Sequence, residues 1–210
     1  MHPAFSVIFF TVTSGAGYGL ISLLSLFQFS YYGIFLDKST FFITAAIAIS
    51  LFTMGLISST FHLANPKNAW RAFMRFRTSW LAREGLLAIL FYPLIFLYLY
   101  LTYIDFQIEN FILMQFLSFI IFTFAVVIIY CTGMIYACLK TIPQWNTFWT
   151  PINYISIGIF LGGLIFFFIL DLYNYEVSLY KSYLLLFIVF AFVLKALYYF
   201  NIRTPRHNIG

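Results

Sequence analysis

Charged side chains are scarce in this sequence. Only 8% of the 210 residues are Asp, Glu, Lys or Arg, against about a quarter in an ordinary soluble domain. Hydrophobic residues make up 63% of the chain, and the mean hydropathy is +0.97. A soluble fold of this length could not bury so much apolar surface, because small domains have much surface for their volume. The composition therefore excludes a water-soluble globular domain and a disordered chain, and it predicts a membrane protein.

Cysteine and histidine are equally rare. The two cysteines, Cys131 and Cys138, have no metal-ligand spacing and give no sign of a disulfide framework. Two of the three histidines, His2 and His207, lie near the chain ends, which disfavours a buried bis-histidine haem site. We therefore expect no metal site, no catalytic residues and no covalently bound cofactor. The basic residues are too few and too dispersed to predict nucleic-acid binding.

Six apolar stretches are long enough to cross a bilayer, which takes roughly 20 residues. They cover about residues 4–29, 40–62, 85–104, 110–133, 152–171 and 179–200. The sequence therefore predicts an all-α integral membrane protein, with residues 1–210 forming a single transmembrane domain. We expect the N-terminus to be an uncleaved first helix, and the polar segment 201–208 to be a genuine end.

The charges are distributed unevenly between the two ends of these spans. With six crossings, nine basic residues fall on the side that holds both termini and the connection 64–84, and two fall on the other. Five of the six acids lie on the side that is poor in bases, and Glu84 is the exception. Since basic loops stay in the cytoplasm, we predict a multi-pass protein of the bacterial inner membrane with the connection 64–84 and both termini cytoplasmic.

The long connection between the second and third spans has an amphipathic pattern. Over residues 70–81, Trp70 and Trp80 fall on an apolar arc, and Arg71 and Arg75 fall on the opposite side. This pattern is typical of a helix that lies in the membrane interface. It could simply anchor the connection to lipid, or its arginines could contact an acidic partner surface. Lys67, Arg75 and Arg77 are the candidates for partner docking.

His62 and Glu84 do not suit a plain connector. They lie at the end of the second span and the start of the third, where ionisable groups tend to pair or to line cavities. Together they could exchange protons at neutral pH, which is what the head of a quinol requires. The structural alternative is a His that caps a helix and a Glu that pairs with Arg83 or Arg77.

Several motifs in this order resemble the dimethyl sulfoxide reductase membrane-anchor family. They cover about residues 1–155 and include the segments 1–10, 14–19, 58–63, 65–71, 79–85 and 134–151. The resemblance implies a non-catalytic subunit that anchors a molybdopterin catalytic subunit and an iron–sulfur subunit. It also implies that quinone exchanges electrons with those partners, which hold the molybdopterin and the clusters.

In that family, the quinone-site residues are a His that ends the second helix and a Glu that begins the third. These match His62 and Glu84, and we expect Trp70, Arg71, Trp80 and Arg83 to surround the pocket mouth. The family includes sulfite-oxidising relatives whose catalytic subunits stay in the cytoplasm. The charge distribution modestly favours that type.

One difference from the family concerns length, because its members usually have eight spans and this chain has room for six. The alternative function is a small transporter or a structural membrane protein, in which His62 and Glu84 form a proton relay or a structural pair. Two GxxxG motifs, Gly15–Gly19 and Gly158–Gly162, predict close helix packing.

Overall fold

The computed structural model describes residues 5–29, 36–61, 70, 74–104, 111–175 and 178–203, apart from a few side chains at the helix ends. These residues form six α-helices and no strand. The helices are α1 (Phe5–Phe29), α2 (Lys38–Thr60), α3 (Trp80–Ile104), α4 (Phe111–Ala137), α5 (Trp149–Leu172) and α6 (Ser178–Arg203). All six are long and apolar enough to cross a membrane, so the predicted all-α membrane fold is confirmed.

The third helix differs most from its predicted bounds. It begins at Trp80, five residues earlier than expected, because Ser79 provides its N-terminal hydrogen bonds. The Ser79 carbonyl accepts from the amide of Arg83 at 3.1 Å, and its hydroxyl accepts from the amide of Ala82 at 3.4 Å. Glu84 therefore lies within the first two turns of α3 instead of at its first residue.

The connection before α3 is tighter than the regular helix that the pattern predicts. Of its described residues, Trp70, Met74 and Arg75 have 3₁₀ conformation and residues 76–78 form a turn. The guanidinium of Arg83 donates to the carbonyls of Phe76 and Arg77 at 3.0 and 2.7 Å. These bonds hold the turn against α3, so the α-helical part of the pattern begins only at Trp80.

The first helix lies at the centre of the bundle and packs against α2, α4 and α5. Its contact with α5 uses both predicted glycine motifs. A Cβ atom on Gly162 would overlap the backbone of Gly19 and Leu20, and one on Gly19 would overlap the backbone of Gly158. Only glycine permits this approach, as small residues do between membrane helices generally.

Three aromatic rings fill the centre of the bundle, where α1, α2 and α3 meet. Tyr18 stacks on Phe52 with 4.8 Å between ring centroids, and the edge of Phe91 packs against both at 5.6 and 5.7 Å. All three side chains are buried. The cluster fixes the orientation of the Tyr18 ring.

At the opposite end from the connection 64–84, Asp37 links two helices. Its carboxylate accepts hydrogen bonds from Ser39 and from the amide and hydroxyl of Thr40 at the start of α2. It also accepts from the hydroxyl of Tyr175, which follows α5. The hydroxyls of Ser39 and Thr40 lower the pKa of Asp37 below its ordinary value.

We predict that Gly162→Ala destabilises the fold while Gly163→Ala does not. The new Cβ at position 162 meets the α1 backbone, which cannot move aside, whereas at position 163 it meets only Leu23 Cδ1 at 3.4 Å. Overpacking of this kind costs about 1–3 kcal/mol. Thermal unfolding of the detergent-solubilised variants measures the difference, and equal melting temperatures would contradict the close contact.

We predict that Asp37→Ala lowers the free energy of unfolding by about 0.5–2 kcal/mol, the usual cost of losing an N-cap. Asp37→Asn should retain most of the N-cap stabilisation, because Asn is also a good N-cap residue.

The lowered pKa of Asp37 has a further consequence in acid. Stability that depends on the carboxylate is present above the ordinary pKa of 3.8 and is lost as the pH falls through the lower folded value. Unfolding at neutral and acidic pH should therefore show the difference between wild type and Asp37→Asn disappearing in acid. A constant difference would contradict it.

Candidate functional site

The carboxyl group of Glu84 is enclosed in the apolar bundle. Its side chain is only 3% exposed and accepts a hydrogen bond from the hydroxyl of Thr132 on α4. Thr132 is itself buried and also bonds to the Ile128 carbonyl at 3.2 Å. Burying an ionisable group among apolar side chains is costly, and such groups are usually retained for function.

A cavity of about 250 Å³ lies beside this pair of residues, between α1, α4, α5 and α6. Its polar lining residues include Thr132, Tyr18, Tyr154 and Lys195. The hydroxyl of Tyr18 is buried and has no hydrogen-bond partner among the described residues. The cavity lining thus includes both the threonine that contacts Glu84 and a tyrosine whose buried hydroxyl lacks a partner among the described residues.

A second cavity of about 220 Å³ adjoins the first and shares Tyr154 and Lys195 with it. It continues towards the α4–α5 connection, where Trp145 contributes to the wall. At that end the hydroxyl of Tyr198 on α6 donates to the carbonyl of Gln144 at 3.0 Å. The two cavities therefore extend from Thr132 towards the end of the bundle that holds the connection 64–84.

Lys195 is a cation within the apolar part of α6. Its ammonium nitrogen lies 5.0 Å and 5.3 Å from the ring centroids of Tyr198 and Tyr199, within the range of a cation–π contact. A lysine at such a position either reaches the interface or faces a cavity. Here it lines both cavities.

The described residues among the tryptophans and arginines predicted around Glu84 make other contacts or are exposed. Arg83 bonds to the turn before α3, and its guanidinium lies 4.1 Å from the centroid of the Trp80 ring. Arg83 therefore does not form the ion pair with Glu84 that was the structural alternative to a quinone site. Trp70 is 54% exposed, and Arg75 and Arg77 are also exposed. Three predicted residues lie outside the described part of the chain: His62, Lys67 and Arg71.

Sequence reasoning missed Thr132, Tyr18 and Lys195 as parts of a site. Lys195 carried a signal, because a lysine inside an apolar span is a candidate functional residue, although the charge pattern uses it only as one of the basic residues. Thr132 and Tyr18 carried no such signal, since both residue types are common in membrane helices. Among the described residues, no group of three His, Cys, Asp or Glu side chains could hold a metal ion.

Comparison with known proteins agrees with the motifs. The model of the family described as DMSO reductase anchor subunit (DmsC) matches residues 1–204. A sulfite dehydrogenase subunit from Allochromatium vinosum is 32% identical over 179 residues, which are 79% of this chain and 54% of that protein. The chain thus spans about half the length of this curated relative. No solved structure matches it. With nearly its whole length matched by the family model, the chain belongs to the DMSO reductase anchor subunit family.

Proposed function

We propose that this chain is the membrane anchor and quinone-interacting subunit of a molybdopterin oxidoreductase complex, of the dimethyl sulfoxide reductase or sulfite dehydrogenase type. It passes electrons between the quinone pool and an iron–sulfur subunit. The observation that carries the proposal is the buried Glu84–Thr132 pair beside a cavity with several polar residues in its lining. Family membership supports the anchoring role, and the name of the curated relative supports the sulfite type.

The residues fit the chemistry of a quinol. A quinol that becomes a quinone releases two electrons and two protons. The electrons go one at a time to clusters in the iron–sulfur subunit, and the protons need acceptors on this chain. Thr132 can accept a proton from a quinol hydroxyl while its own hydroxyl proton passes to Glu84, because the two side chains are already hydrogen-bonded. In the reducing direction the same transfers run backwards. His62 would take the second proton.

The exposed turn before α3 suits the docking of a partner. Arg75 and Arg77 are exposed at the end of the bundle that carries most of the basic residues. Lys67 and Arg71 belong to the same connection. The positive-inside rule puts this end in the cytoplasm, so we propose that the iron–sulfur subunit binds there and links this chain to the molybdopterin subunit.

We predict that Glu84→Gln lowers quinol-linked turnover of the assembled complex by about 100-fold, within the range that a proton-transferring side chain contributes. Gln keeps the size of the side chain but cannot take up the proton. Asp171→Asn is the matched control, because Asp171 is an exposed acid at the far end of α5, and its turnover should stay within twofold of wild type.

Turnover should be measured with a quinol or a quinone and, separately, with a soluble redox dye that exchanges electrons directly with the partner subunits. Unchanged dye activity in the washed membrane fraction establishes that the partner subunits are assembled on the variant. Unchanged quinol turnover in an assembled Glu84→Gln complex would overturn the proposal and favour the structural or transporter alternative.

We predict that Thr132→Val lowers quinol-linked turnover by about tenfold and that Thr132→Ser restores it. Valine has the shape of threonine but lacks the hydroxyl, and a hydrogen bond to a charged group contributes about 1.5–3 kcal/mol. Thr123→Val is the control, because Thr123 lies on the same helix and, among the described residues, bonds to the Phe119 carbonyl at 2.8 Å. Equal losses in Thr132→Val and Thr132→Ser would show that the hydroxyl is not the active feature.

A further inference from the structure

The cavity between α1, α4, α5 and α6 has the size of a ring system. Its volume of about 250 Å³ is just below the range of about 300–1,000 Å³ for pockets that hold drug-sized ligands. It therefore suits a flat head of one or two rings and leaves no room for a long isoprenoid chain. Gly15 and Gly158 form part of its wall, together with the apolar side chains of Ile129, Ile157 and Leu161.

Tyr18 lines this cavity from the α1 side. Its ring is held by the stack with Phe52 and the edge contact with Phe91, so the hydroxyl has little freedom to turn elsewhere. It is buried and without a hydrogen-bond partner among the described residues. Buried hydroxyls almost always have a partner, and a carbonyl oxygen on a bound ligand would supply one.

Lys195 provides a cation on the α6 side of the same cavity. The contacts of its ammonium group, within the described part of the chain, are with the faces of Tyr198 and Tyr199. These rings leave its hydrogen-bonding protons available for an acceptor, because a lysine ammonium has three of them. A ligand in the cavity thus meets donors from two helices and Thr132 from a third.

The cavity also has a route for a lipophilic tail. Val12 lines it and is 48% exposed on the outer surface of the bundle. α6 completes that side and packs on α5. A substituent on the ring could therefore extend along α1 into the lipid.

We propose that the quinone ring binds in this cavity, with its carbonyl oxygens hydrogen-bonded to the hydroxyl of Tyr18 and the ammonium group of Lys195. A quinone fits because it carries two carbonyl acceptors on opposite sides of a flat ring. The inference rests on the proposed function and places the quinone site in the interior of the bundle. The alternative position for the quinone is near Trp70 and Trp80.

Two variants remove single donors with little change of shape: Tyr18→Phe keeps the stacked ring, and Lys195→Met keeps the length of the side chain. In the assembled complex, each should raise the KM for menadiol, a quinol without an isoprenoid chain, by about tenfold and leave kcat within twofold. The controls are Tyr100→Phe, an exposed tyrosine on α3, and Lys38→Met, a lysine at the other end of the bundle. Neither control should change KM.

Photolabelling of the wild-type complex with an azidoquinone tests the position without any substitution. The proposal expects labelled peptides from α1 and α6, and loss of that label when menadione competes. Label confined to residues 70–80, with unchanged KM in Tyr18→Phe and Lys195→Met, would overturn this site. In that case the proposed function would still stand if Glu84→Gln abolished quinol turnover. The function and the site would fail together if quinol turnover survived in Glu84→Gln and no quinone label appeared.

Discussion

The close approach of α1 and α5 is the contact on which the rest of the bundle depends. Gly19 and Gly162 let the two backbones meet without side chains between them. Between membrane helices there is little hydrophobic driving force, so packing of this kind has to supply the association. Because α1 lies so near α5, α4 can contact both helices, and Gly15 and Gly158 become part of a cavity wall. The same small residues that stabilise the fold therefore shape the candidate site.

The second constraint is the burial of the Glu84 carboxyl group among apolar side chains. Among the described residues, Glu84 has one hydrogen-bond donor, Thr132, and that residue also lines the cavity. A purely structural pair would be expected to offset the cost of burial with a full set of partners. Thr132 instead connects the carboxyl to the cavity, and the hydroxyl of Tyr18 on α1 is also buried without a hydrogen-bond partner among the described residues.

Much of the fold could be predicted from the sequence, because six uninterrupted apolar stretches can hardly form anything but membrane helices. Glu84 could also be found, since it is the one acid on the basic side. Its partner could not. The pairing of Glu84 with Thr132 joins positions 48 residues apart on separate helices, and it depends on rotations of α3 and α4 that apolar composition does not specify. The role of Arg83 was missed for a related reason: its neighbours are backbone carbonyls, which every sequence contains.

Arg83 and Glu84 also show how one helix start can serve two surfaces. Successive residues on an α-helix point about 100° apart, so Arg83 contacts the turn outside the bundle while Glu84 is buried inside it. Glu84 follows Trp80 by four residues, which is about 6 Å along the helix axis at 1.5 Å per residue. The turn that holds Arg75 and Arg77 ends just before Trp80, so a partner bound there would lie at the same end of α3 as the buried carboxyl. The first turns of α3 thus provide the shortest covalent connection between the proposed docking surface and the proposed proton acceptor.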